Sequence, residues 1–188
     1  MKLRFVILLL GTAFSGQVMS FDMHENKVNS VYFGIDMGYQ AISDDSYPKS
    51  PSGLIYALSG GLMFDRNWLW DFSYQFNDGV SADVSPINTV SVESKTIITN
   101  IGRYWRMNNR IDLYGKVGVS YYSNEKEETY KSKINVEGFS PIFHAGLNYK
   151  INNNFRLNLG YQYMPYVGKN ASGKYDSSAV FGGPILFF

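Results

Sequence analysis

Few side chains in this sequence could do covalent chemistry. It has two histidines and no cysteine, which removes disulfides, thiolate metal sites and cysteine nucleophiles. His144 lies in a regular segment, and Ser140 precedes it on the same face. Four residues of extended chain separate two side chains by about 13 Å, too far for a hydroxyl to pass its proton to the imidazole. His144 therefore reads as an inward hydrogen-bonding residue. The aspartates are scattered and none has the spacing of a calcium loop, so no metal or cofactor is expected. The remaining chemistry is ionic. Asp36, Asp71, Lys116 and Arg156 all fall on the polar face of alternating segments, where they could form a buried polar plug. Counting along the segments puts Asp36 and Lys116 near mid-depth on opposite walls. Asp71 and Arg156 lie toward the turns.

The segments that carry these charges alternate with period two, the signature of strands rather than helices. The first run places Val31, Phe33, Ile35, Met37 and Tyr39 opposite Tyr32, Gly34, Asp36 and Gly38. The third places Trp68, Trp70, Phe72, Tyr74 and Phe76 opposite Leu69, Asp71, Ser73 and Gln75. Similar runs start near Leu54, Ile111, Phe139 and Phe155. The fourth, from Val90 to Trp105, is ambiguous, because Ile97 and Ile101 share one face while Ile98 takes the other. A bulge or a mixed face would explain it. The eighth, Val180 to Phe188, contains Pro184. The connections alternate too. Asp65 to Asn67, Arg106 to Asn109 and Asn152 to Asn154 are tight turns. Ala41 to Pro51, Asp78 to Thr89, Ser123 to Asn135 and Tyr166 to Asp176 read as longer polar loops.

Eight such runs predict an all-β fold, an eight-stranded antiparallel up-and-down transmembrane β-barrel. A soluble barrel with a ligand cavity is the competitor. Burying Asp36, Asp71, Asp112, Lys116 and Arg156 in a dry cavity would cost several kcal/mol each, whereas a membrane barrel puts its polar face inside. Aromatic residues mark both ends of the apolar face: Trp68, Trp105, Phe155 and Phe188 near the turns, and Tyr39, Phe76, Tyr121, Phe139 and Tyr163 near the loops. Two such girdles suit two membrane interfaces. Lys plus Arg is 17 and Asp plus Glu is 16, a balance that argues against a nucleic-acid partner.

Residues 1–20 read as a signal peptide, with Lys2 and Arg4 before an apolar core and either Val18-Met19-Ser20 or an earlier point at the small residues Ala13 and Ser15 as the cleavage site. Residues 21–188 are then the barrel domain. At the other end, Gly183, Leu186 and Phe188 have the Gly-x-x-apolar-x-aromatic spacing of an outer-membrane assembly signal. That implies the barrel-assembly machinery as a partner.

Longer stretches carry a resemblance. Phe139-Ser140-Pro141-Ile142-Phe143-His144-Ala145-Gly146-Leu147-Asn148-Tyr149 with Leu159-Gly160-Tyr161-Gln162-Tyr163 resembles the OmpA-like transmembrane domain family. So do Ile111 to Gly118, Tyr32-Phe33-Gly34 and Met37-Gly38-Tyr39. The likeness covers nearly all of the mature chain. It implies a bacterial outer-membrane location, lipid and lipopolysaccharide as surroundings, and a monomer. The family's lumen ion-pair positions fall on Asp71, Asn100, Asn148 and Asn158, of which only Asp71 keeps a charge. Lys116 matches a basic lumen position. The peptidoglycan-binding domain of OmpA proteins is not expected after Phe188, an architecture similar to OmpX and Ail.

Some barrels of this size modify lipid A. The deacylase type needs a histidine and serine two apart facing lipid, and the palmitoyltransferase type an outer-rim histidine. Neither His24 nor His144 fits, so no enzyme is expected. The expected role is structural or surface interaction, including adhesion or colonisation, with a host or surface ligand met at the loops. The alternative is a narrow channel for small or hydrophobic solutes.

Overall fold

The computed structural model describes residues 28–43, 52–64, 67–77, 79–85, 88–128, 131–167 and 175–188. The expected signal peptide lies outside them. The described chain forms nine strands: β1 (Val28–Ser43), β2 (Ser52–Phe64), β3 (Trp68–Phe76), β4 (Val80–Ser85), β5 (Asn88–Arg106), β6 (Ile111–Glu128), β7 (Lys131–Lys150), β8 (Phe155–Val167) and β9 (Tyr175–Phe187). Each is antiparallel to its neighbours, and β1 pairs with both β2 and β9, which closes the sheet. β4 continues the line of β3 along β5, so nine strands make eight staves. The break between them passes through Gly79, at a φ of 96° that glycine adopts without a Cβ clash. Closure leaves the barrel wall without an open edge.

Period two governs every stave. On β3, Leu69, Asp71, Ser73 and Gln75 are buried while Trp68, Trp70, Phe72 and Tyr74 are exposed. The ambiguous fourth run becomes the barrel part of β5 and needs no bulge, since its pairing with β3 and β6 is unbroken. Ile98 simply points inward with the polar set and is fully buried. Pro184 is accommodated in β9. It faces outward opposite Leu157 of β8, and the β1 ladder skips its position between Gly34–Ile185 and Met37–Gly182. A proline has no N–H for that ladder to use.

Two expected loops are corrected. Asp78 to Thr89 contains β4 and the start of β5. Ser123 to Asn135 is largely strand, because β6 and β7 stay paired out to Glu128–Lys131. The 20 residues of β7 span about 66 Å at ~3.3 Å per residue. Crossing a bilayer takes only about 9–11 residues of strand. The β4–β5–β6–β7 ladder therefore continues well past the barrel on the loop side.

Inward tyrosines lie flat against inward glycines. Tyr114 covers the Gly146–Gly160 pair of β7 and β8; a Cβ on Gly146 would fall 2.6 Å from its ring carbon Cζ. These glycines serve packing: the ring fills the lumen only because its neighbours have no side chain.

Candidate functional site: a polar layer between two apolar plugs

The lumen is filled in layers. Toward the turns, Tyr32, Met63, Leu69, Tyr104, Tyr114, Ile185 and Phe187 form one buried cluster. Toward the loops, Ile98, Tyr122, Val136, Ile142, Met164 and Val167 form another. Val167 reaches the lumen because β8 shifts register after Met164, at Tyr166 with a φ of 58°. A hydrogen-bonded polar layer lies between the clusters, and Gln40, Asn77 and Ser177, bonded to one another, share the loop-side level with the second.

Asp71 is the centre of that layer. Its carboxylate accepts from Tyr32 Oη at 2.9 Å and Asn100 Nδ2 at 2.8 Å, and pairs with Lys116 Nζ. Asp36 instead accepts from Asn158 Nδ2 at 3.0 Å. Gln75 and Gln162 donate to each other's carbonyls at 2.6 and 3.1 Å. The Tyr114 hydroxyl, His144 Nε2 and the Asn148 amide line a cavity of about 30 Å³ and have no protein partner at good hydrogen-bond geometry. A polar space of this size accommodates about one or two water molecules.

A second ionic group sits at the turn-side mouth. Asp112 pairs with Lys150 at 2.8 Å and Arg156 at 3.2 Å, with Arg106 3.9 Å away. The Arg156 guanidinium also lies 3.9 Å from the Phe187 ring centroid, capping the apolar cluster below it.

The four residues expected to act together divide into these separate groups. Asp71 and Lys116 meet; Asp36 and Arg156 are bonded elsewhere. Asp36 and Lys116 do stand on opposite staves and line one cavity, but Lys116 takes Asp71 as its ion-pair partner and Asp36 takes Asn158. Asp112 was legible as a polar-face charge but gave no sign of being a hub, since its partners come from β7 and β8. Of the family's ion-pair positions, Asn100 still bonds Asp71, whereas Asn148 and Asn158 face each other across β7 and β8. At the C-terminus, Gly183 takes the inward parity, and Leu186 and Phe188 face outward. Phe188 is zipped to β1 through its N–H to the Val31 carbonyl at 2.9 Å.

The outer wall is the reverse of the lumen. Val31, Ile35, Met37, Trp70, Phe72, Ile101, Val117, Phe143, Leu159 and Val180 are all exposed, on a face that runs around the whole barrel. Water would not tolerate so continuous an apolar surface, which far exceeds an ordinary patch of a few hundred Å². Among the described residues no helix is long and apolar enough to cross a membrane; a closed barrel is the other structure that can. The model of the outer membrane protein beta-barrel domain matches residues 6–182. The chain belongs to that family. Its barrel is therefore a bacterial outer-membrane structure.

Solved structures agree on the fold. Neisserial surface protein A is 16% identical, with a TM-score of 0.66 over 84% of this chain and 97% of that one. The N-terminal β-barrel domain of Pseudomonas aeruginosa OprF is 15% identical, with a TM-score of 0.57 over 85% and 99%. Ail, the attachment invasion locus protein of Yersinia pestis, is 20% identical, with a TM-score of 0.51 over 82% and 98%. Ail is also known in complex with the heparin analogue sucrose octasulfate. No curated protein matches the chain.

Proposed function

We propose that this outer-membrane barrel is a non-enzymatic surface-interaction protein whose working part is the strand extension on the loop side. The observation that carries this is the length of β5, β6 and β7. A barrel that only had to span the membrane would not continue its ladder to Glu128–Lys131. In β7, the pairing with β8 begins at Phe143, so among the described residues Lys131 to Ile142 pairs only with β6. Such backbone can accept a strand from a partner. The captured heparin analogue of Ail supports the wider idea that barrels of this shape hold ligands. Residues 123–135 carry Glu125, Lys126, Glu127, Glu128, Lys131 and Lys133, charges of both signs that can select a partner. Enzymatic action finds no support here. The Ser140 hydroxyl donates to the Pro165 carbonyl at 2.5 Å and is not placed to serve His144 as a nucleophile.

Shortening the β6–β7 hairpin beyond Ser123 and Asn135 tests the proposal. Adherence of bacteria displaying the protein to epithelial monolayers should fall, while heat-modifiable gel mobility shows the barrel intact. Unchanged adherence would count against it. The second reading, a narrow channel, draws on the polar layer and its cavity, but the two apolar clusters oppose it. Large, stable conductance in planar bilayers would reverse that preference.

A further inference from the structure

Charges on the outer wall are segregated. Glu93, Lys95, Glu125, Glu137 and Asp176 have outward parity and lie toward the loop end of their strands. Arg103 is the one described charge that faces outward from a strand at the turn end. It pairs with Trp68, the first residue of β3, and the neighbouring Tyr104 N–H bonds the Asn67 carbonyl in the β2–β3 turn at 2.7 Å. Arg103 is therefore level with the turns, in the plane of the headgroups facing the periplasm.

One indole lies against Arg103 and a second lies over its strand neighbour. The Arg103 guanidinium carbon lies 5.6 Å from the Trp68 ring centroid, within cation–π range. On the other side its partner is Gly115 of β6. A Cβ there would come within 3.2 Å of Trp105, so the second indole lies over this glycine. Neither indole N–H has a hydrogen-bond partner among the described residues, unlike Trp70, whose Nε1 donates to Thr99 Oγ1 at 2.9 Å. No carboxylate among the described residues is within ion-pair distance of Arg103. A permanently charged, planar donor fork rests against the Trp68 ring at the headgroup level, beside the glycine that Trp105 covers, with no carboxylate partner among the described residues.

We propose that Arg103, with Trp68 and Trp105, binds the phosphodiester of a phospholipid from the periplasmic leaflet. The guanidinium donates to the phosphate oxygens, and the acyl chains run up the apolar wall past Trp70 and Ile101. The site is at the opposite end of the barrel from the strand extension and does not depend on what that extension binds.

Native mass spectrometry of the full barrel in a neutral detergent, titrated with phosphatidylglycerol, tests this. Arg103→Gln should weaken the first lipid-binding step at least fivefold, and Arg103→Lys should fall between. Arg110→Gln, another turn-side arginine whose Nη1 contacts Tyr149 Oη at 3.3 Å, should leave it unchanged. Heat-modifiable mobility verifies that every variant is folded. Equal lipid binding by wild type and Arg103→Gln would overturn the site. So would equal losses in Arg103→Gln and Arg110→Gln, which would mean diffuse charge attraction. Displacement of the lipid by millimolar inorganic phosphate would assign the site to a soluble anion and overturn the lipid assignment.

Discussion

Lys116 reaches Asp71 by crossing the backbone of Gly102. The two residues stand on β6 and β3, with β5 between them. Asp71 is paired with Asn100 of β5 and Lys116 with Gly102, two residues along the same face. A Cβ on Gly102 would fall 2.7 Å from Lys116 Cγ, so the lysine stem occupies the space a side chain there would need. The side chains of the pair are 14% and 2% exposed, which makes this a buried ion pair with extra hydrogen bonds to its carboxylate.

Breaking such a pair from one side strands the other charge, at a cost of about 3–5 kcal/mol. Asp71→Asn and Lys116→Met should each approach that loss in urea unfolding from lipid vesicles. The double variant should lose clearly less than the sum of the two. The Asp36–Lys116 pair, tested the same way, should show weaker coupling, because Asp36 is held by Asn158. Equal coupling in both cycles would mean the lumen charges act as a diffuse set.

Gly102 itself gives a separate test. Gly102→Val puts a branched side chain into the path of Lys116 and should cost about 1–3 kcal/mol by overpacking. In a Lys116→Met background the further loss should shrink, since the shorter-reaching apolar chain has no partner to hold it in that path. Undiminished loss would show that the backbone contact with the Gly115 carbonyl, 2.6 Å from the same Cβ position, is what matters.

Parity along each strand told which residues face the lumen, because a membrane barrel makes one face apolar and the other mainly polar, as along Phe155–Tyr163 and, apart from the inward Leu69, along Trp68–Phe76. It could not tell which lumen residues meet. That depends on stagger between strands, which leaves no mark in the spacing of Asp36 or Lys116. The outer parts of β6 and β7 were missed for another reason. Beyond the membrane both faces of a strand can meet water, so Ser123 to Asn135 loses the apolar alternation and reads as a loop. Ile98 looked anomalous only because an apolar residue in the lumen breaks the colour scheme of its strand, while serving the loop-side plug.

The Asp112 group should behave asymmetrically. Three cations surround one carboxylate, so Asp112→Ala leaves Lys150 and Arg156 facing each other unpaired. A loss on the order of 3 kcal/mol is expected for such a partly buried set. Lys150→Met should cost clearly less than Asp112→Ala, because Arg156 remains on Asp112 and on the Phe187 ring. Unfolding of both variants in the same vesicles checks the order. A larger loss from Lys150→Met would make the lysine, and not the carboxylate, the organising residue.

The loop-side cluster allows a direct test of how the lumen is sealed. Ile98 and Ile142 are fully buried in the same cluster. Truncating either to alanine should cost about 2–5 kcal/mol through lost burial and an incompletely collapsed cavity. If the cluster seals the lumen, Ile98→Ala with Ile142→Ala should also admit ions through a path that the wild type lacks. The turn-side cluster of Tyr32, Leu69 and Tyr104 still stands in series with it, so any conductance gained should be small and flickering. Adding Leu69→Ala, which thins the second plug, should raise it further. Single-channel recording on folded, heat-modifiable protein distinguishes the cases. Wild-type conductance equal to that of the triple variant would mean that neither cluster is the barrier and that ions take another route through the polar layer.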